Sequence, residues 1–232
     1  VAVVVWVFAG GGESEVRGLV PLLENMCIDH TFERKSPVRR KPGPRPSNVP
    51  GYGRTGRSLA EQIEKLLFES LKAKECCDLI LVIDDLDCHD RDVRHELFDR
   101  SIGKVDQAAT IEHYIGFASP EVEAWIVADW DQSVAKDPDF RGCHAQMRHW
   151  LSTQKAVPFD LPETFSNYDR EKDSCRDKLS DAIIESSIHC GAQARYSKGD
   201  HTARFLRQIS PEVVSGKCPL FRALHHRLSQ TE

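Results

Sequence analysis

The fold is decided by residues 79–90, LILVIDDLDCHD. Five apolar residues, Leu79 to Ile83, run straight into four aspartates within seven positions: Asp84, Asp85, Asp87 and Asp90. A short apolar run of this composition, bounded by charge, reads as a strand buried on both faces. Clustered carboxylates repel one another, so a bound cation, a basic neighbour or water at the strand end must compensate them. In open α/β sheets ligands sit outside the carboxyl ends of the strands, which is where these acids stand.

Outward from that stretch, strands and helices alternate. Residues 1–8, VAVVVWVF, read as another buried strand, followed by the glycine turn AGGGESE (9–15) and a helix over SEVRGLVPLLENM, with Val16, Leu19, Val20 and Leu23 on one stripe. CIDHTFERK (27–35) reads as a strand. SLAEQIEKLLFESLKAKE (58–75) reads as an amphipathic helix with Ser58 as its N-cap. RDVRHELFDRSI reads as helix and TIEHYIGFA as strand. SPEVEAWIVADW opens a helix with Ser119 as cap and Pro120 in the first position. This β-α-β-loop-α-β-α-β-α order over residues 1–130 predicts an α/β fold, with a mostly parallel sheet flanked by helices. Over residues 131–232 the pattern changes to helical stretches, RGCHAQMRHWLS, CRDKLSDAIIESSI, HTARFLRQI and CPLFRALHHRLS. They predict a C-terminal helical extension packed on the first domain, without a sheet of its own.

Charge is unevenly distributed. The 232 residues carry a net charge of −5, yet Arg34 to Arg57 hold eight Arg or Lys and no acid, so the remainder sums to −5 − 8 = −13. Five prolines and four glycines between Lys35 and Arg57 exclude a regular element there and predict a loop. It reads either as a solvated loop or as a surface that neutralises phosphates and releases counterions. Arg39, Arg40, Lys41, Arg45, Arg54 and Arg57 are then the candidate nucleic-acid contacts, with Tyr52 free to stack on a base.

Two strand ends carry acids: Glu13 and Glu15 after the first, Asp84, Asp85, Asp87 and Asp90 after the third. If the strands are neighbours, these form an all-oxygen set suited to Mg²⁺ or Mn²⁺. A period of two puts Asp85 and Asp87 on one side as a chelating pair and turns Asp84 away, to cap a helix or orient a neighbour. Glu13, Asp85 and Asp87 are thus the candidate metal ligands and catalytic acids. Glu123 reads as a charge favoured at a helix start, or as a further contact beside the metal. Lys198 and His201, in RYSKGDH, read as surface residues or as groups that stabilise a leaving group, and His89 as a loop residue or a proton carrier.

The eight cysteines include no C-x-x-C pair, and a chain of this size needs no staples; reduced thiols and a cytoplasmic location are expected. The opening apolar run, about nine residues, is far short of the roughly 20 that cross a bilayer, so no membrane partner is expected.

The segments VWVFAGGGESEVRGLVPLL, LILVIDDLD, GFASPEVEAWIVAD, KDSCRDKLSDAI and HTARFLRQISPEVVSGKCPLFRALHHRL resemble, across nearly the whole chain, a Toprim-like family related to the overcoming-lysogenization-defect nucleases and often encoded beside ATPases in bacterial defence loci. The resemblance implies a Toprim-like fold, an Asp85-x-Asp87 pair that binds Mg²⁺, a strand-end glutamate as general acid or base, and cleavage of nucleic-acid phosphodiesters. An antiphage role with an ATPase partner is part of the same implication. The chain departs from the pattern at Ala9-Gly10, where such nucleases read E-G. Either Glu13, the second acid of the related E-G-x-x-E pattern, or Glu15 substitutes, or the module binds metal, nucleic acid or a partner ATPase without catalysis. A phosphatase-like hydrolase with Asp84 or Asp85 as nucleophile is a third reading, and it leaves the basic loop unexplained.

Overall fold

The computed structural model of the chain describes residues 2–37 and 55–230, and for residues 13–16 the backbone alone. Its sheet is built of four parallel strands, β1 (Val3–Ala9), β2 (His30–Ser36), β3 (Leu79–Asp85) and β4 (Glu112–Ala118), in the order β2-β1-β3-β4. The two most apolar strands, β1 and β3, take the centre, where both edges are paired and both faces covered. At the edge, β2 carries Glu33, Arg34 and Lys35 and alternates in burial.

Side-chain alternation divides each strand between two layers. Trp6, Phe8, Ile80, Val82, Ile115 and Phe117 face α2 (Gly56–Lys72) and α3 (Arg91–Gly103). Val5, Val7, Leu79, Leu81 and Ile83 face a second layer made of α1 (Glu13–Met26), α4 (Glu123–Ala128), α7 (Ala203–Leu206) and α9 (Pro219–Ser229). Outside these lie α5 (His144–Gln154), α6 (Leu179–His189) and α8 (Pro211–Lys217), whose buried residues Leu151, Ile183 and Val214 continue the same core. The fold is therefore α/β, a parallel sheet flanked by helices, and the C-terminal helical part supplies most of one covering layer. Among the described residues, no helix is long and apolar enough to cross a membrane.

Several local expectations are corrected. The N-cap of α2 is Thr55, and the Ser58 hydroxyl donates to the Thr55 carbonyl (3.0 Å) from inside the helix. Ser119 does not cap α4. Its peptide bond to Pro120 is cis, its hydroxyl donates to the Glu163 carbonyl (2.9 Å), and the helix begins at Glu123. The C-terminal part has a small sheet of its own, an antiparallel hairpin of β5 (Tyr168–Asp169) and β6 (Ser174–Cys175); strands of two residues leave no periodicity to read. Arg34 to Ser36 belong to β2 and Gly56 and Arg57 to α2, so the loop is shorter than its basic composition suggests. The eight thiols are not all reduced: Cys88 and Cys175 form a disulfide, and the other six are free. Long-range proximity, which no spacing rule reports, brings these two together.

Candidate functional site

The end of β3 is overlaid by the chain that leaves β4. Asp85 pairs in register with Ala118, the Leu86 amide donates to the Ala118 carbonyl (2.9 Å), and the Asp87 amide donates to the Pro120 carbonyl (2.9 Å). The next residues fold back over the strand end, so that the Val122 amide donates to Asp85 Oδ1 (3.0 Å). This carries Glu121 and Glu123 to the same place. Glu121 accepts from the Ser180 amide (2.6 Å), the Ser180 hydroxyl (3.1 Å) and Lys198 Nζ (2.8 Å). Glu123, fully buried, accepts from the Thr202 hydroxyl (3.0 Å) and the Tyr196 hydroxyl (3.5 Å), with Lys198 Nζ 3.6 Å away. Lys198 enters on a π-helical turn, Lys198–Thr202, and keeps about a third of its side chain (35%) exposed.

Two buried carboxylates, Glu121 and Glu123, thus meet one lysine, and a third, Asp85, interacts with it electrostatically. Burial pushes the Asp85 carboxyl well above the usual carboxylate range; Lys198 opposes that shift, while Glu123, Glu121 and Asp84 add to it. Burial works to lower the Lys198 ammonium, but Glu123, Glu121 and Asp85 outweigh it and hold Lys198 above the usual lysine range, so it is charged.

Asp84 points to the opposite face, as the alternation requires. Its Oδ2 accepts from the Gly56 amide at the start of α2 (2.8 Å), with Arg94 at 3.7 Å, so it satisfies a helix N-terminus across the sheet. Burial pushes its carboxyl up to about 7, against the Gly56 hydrogen bond and Arg94. A Cβ at position 10 would stand 2.0 Å from Asp84 Oδ1, so the strand end after Ala9 has room only for glycine.

Asp87 lies beyond the strand. Asp87 and Cys88 adopt left-handed conformations (φ 48° and 62°), so the extended geometry assumed for an Asp85-x-Asp87 pair stops at Asp85. Asp87 instead faces Lys178 at 3.6 Å. Asp90 caps α3, accepting from the amides of Asp92 and Val93 (both 2.9 Å). Glu13 is the first residue of α1, and the helix packs against the π-helical turn that carries Lys198; the side chains of Glu13 and Glu15 lie outside the described part. Arg39, Arg40, Lys41, Arg45, Tyr52 and Arg54 lie outside the described residues. Arg57 is exposed on the first turn of α2 and lines an open cleft of about 1010 Å³, together with His89, Arg94, Arg100 and Tyr168. Lys35 is compensated, by Glu75 (2.6 Å) and Glu33 (3.1 Å), and its ammonium sits over the Trp6 ring.

Residues 12–229 match the family described as "Domain of unknown function (DUF4276)". The chain belongs to that family. No curated protein and no solved structure matches it. The match begins after β1 and takes in the other three strands and the helical layer, and with them every residue of the carboxylate–lysine cluster in this DUF4276 member.

Local sequence assigns no site role to Glu121, Tyr196 or Thr202 and no partners to Glu123. A signal for the pair existed: E-x-E directly after a strand, in ASPEVEA, repeats the logic of D-x-D after β3.

A second group includes His201, on the same π-helical turn as Lys198. Ligand atoms of Asp137, Asp139 and His201 lie within 4.8 Å of one another and could hold a metal ion. In the observed arrangement Arg204 serves as their cation, 2.7 Å from Asp137 and 3.0 Å from Asp139. The hydrogen bonds from Arg204 and His201 hold Asp139 below its usual range. His201 Nδ1 accepts from the Ser197 amide (2.8 Å), which leaves the ring proton on Nε2, facing Asp139 at 3.3 Å. A metal bound here would displace Arg204 and that proton.

Proposed function

We propose that this protein is a metal-dependent phosphodiesterase acting on nucleic acid, a nuclease, with its centre at Asp85, Glu121, Glu123 and Lys198. The observation that carries the reading is the surplus of carboxylate: three buried acids against one lysine, at the carboxyl end of the two strands where α/β sheets place ligands. An all-oxygen donor set with excess negative charge fits a hard divalent cation, Mg²⁺ or Mn²⁺. Such a cation, when bound, would polarise a phosphoryl oxygen and lower the pKa of a coordinated water. Asp85, Glu121 and Glu123 would hold it. Lys198, charged and open to solvent on one side, would hold the phosphate and steady the charge that develops on the leaving oxygen. Arg57, on the wall of the adjoining cleft, would contact the backbone of the substrate together with the basic residues between 34 and 57. The resemblance to Toprim-like nucleases supports the same reading, and a cytoplasmic defence role beside an ATPase follows from that resemblance alone.

The test is cleavage of labelled single- and double-stranded DNA and RNA with Mn²⁺ or Mg²⁺, together with calorimetric Mn²⁺ binding. Glu123→Gln keeps the hydrogen bonds of position 123 and removes one charge. It is expected to lower cleavage by roughly a hundredfold or more and to weaken Mn²⁺. Unchanged cleavage in Glu123→Gln and Asp85→Asn would remove the centre from this place. One observation favours a second reading, a module that binds without cutting: β1 ends at Ala9 and is followed by Gly10, pressed against Asp84, so neither position supplies a carboxylate of its own. Mn²⁺ binding without cleavage of any of the four substrates would assign the protein to it.

A further inference from the structure

The Cys88–Cys175 bond ties the turn after β3 to the β5–β6 hairpin. Cys88 sits in the turn after β3, directly behind Asp87, and both residues are left-handed without being glycine, a conformation that persists only where surroundings enforce it. Cys175 belongs to the β5–β6 hairpin, whose ladder is two residue pairs long, far too short to stand alone. Past the hairpin the chain returns to the site twice more, through Lys178 to Asp87 (3.6 Å) and through Ser180 to Glu121 (2.6 and 3.1 Å). The His89 and Tyr168 rings meet 5.2 Å apart between the same turn and hairpin, and Cys88, His89, Tyr168 and Asp173 form one wall of the open cleft.

We propose that Cys88–Cys175 is a reversible thiol–disulfide modification site, whose state sets the order of this wall and, through Asp87 and Glu121, the competence of the carboxylate centre. The last clause rests on the function proposed above. Cys175 is buried (3% exposed), whereas Cys88 is half-buried and faces the cleft, so an entering thiolate reaches the Cys88 sulfur and Cys175 leaves. With a dithiol as reductant, the entering thiolate forms a mixed disulfide at Cys88 as the Cys88–Cys175 bond breaks. The second thiol of the reductant then displaces Cys88. Two electrons and two protons pass to the protein, giving two Cys thiols, and the reductant departs as its cyclic disulfide.

The experiment equilibrates the full chain with oxidised or reduced dithiothreitol, desalts it, and compares three readouts. Thiols titrated after denaturation should rise by two on reduction, from the six free cysteines of the bonded form. Amide exchange over residues 86–90 and 166–180 should quicken by about tenfold or more, while β1 and β3 stay as protected as before. Mn²⁺ affinity should fall in the reduced form, and Cys88→Ser should reproduce both changes without reductant. A thiol count that does not change, or equal exchange of the turn and hairpin in the two states, would overturn the proposal. Absence of Mn²⁺ binding in both states would strike the proposed function and leave the exchange result to decide the switch.

Discussion

Asp84 and Asp85 are neighbours in sequence with unrelated environments, because one step along a strand exchanges one layer for the other. Asp85 joins a cluster of like charge held by Lys198; Asp84 is placed alone beneath α2 and Arg94. The consequence for Asp84 is measurable. Burial, the first cause, pushes its carboxyl up to about 7 in the folded chain from an ordinary 3.8. Between those values the folded state binds more protons than the unfolded state, so stability from this group is highest below the unfolded value and falls as pH rises toward 7, by on the order of 4 kcal/mol in all. Asp84→Asn keeps an acceptor for the Gly56 amide and cannot ionise. Its melting temperature relative to wild type should be more favourable at pH 8 than at pH 4.5, by several degrees. Equal differences at the two pH values would show that Asp84 does not titrate in this window.

At the scale of elements, the close approach of α1 to α7 fixes where the π-helical turn, and with it Lys198, stands against the sheet. A Cβ on Gly18 would lie 2.7 Å from the Cα and the carbonyl oxygen of Ala203, main-chain atoms that cannot swing aside. In an exposed helix interior, alanine is worth about 1 kcal/mol over glycine. Here overpacking should reverse the sign and cost about 1–3 kcal/mol. Gly18→Ala is expected to lower the unfolding midpoint in urea, whereas Gly216→Ala on α8, with open space around its Cβ, should leave it unchanged or raise it. A stabilised Gly18→Ala variant would mean that the two helices are further apart than described.

For the molecule as a whole, the helices after Trp130 supply most of the covering on one face of the sheet. Val5, Val7, Leu79, Leu81 and Ile83 are buried against a core that includes Phe205, Leu206, Phe221 and Leu224. A fragment of residues 1–130 would expose that face, together with Trp125 and Trp130, and should show no cooperative melting transition and strong binding of a hydrophobic dye. A fragment that melts cooperatively would show that the sheet is stable with one face covered by α1 and α4 alone.

The sequence by itself determined the parallel α/β core. Runs such as LILVI and VAVVVWVF cannot be satisfied outside a doubly covered sheet, and the helix stripes between them have the right period. It also determined that carboxylates crowd the end of β3, and through alternation that Asp84 and Asp85 part company there. It did not determine which acids meet. A period of two pairs Asp87 with Asp85 only as long as the strand lasts, and it ends at Asp85, whereas Glu121 and Glu123 reach Asp85 because the chain after β4 folds back across the strand end. Lys198 and Thr202 arrive from more than seventy residues away, and Cys175 reaches Cys88 across a similar separation. Local sequence fixes what is decided within a few residues by dihedral preference and apolar period; contacts between distant segments are fixed by the packing of whole layers, and only the tertiary structure decided those.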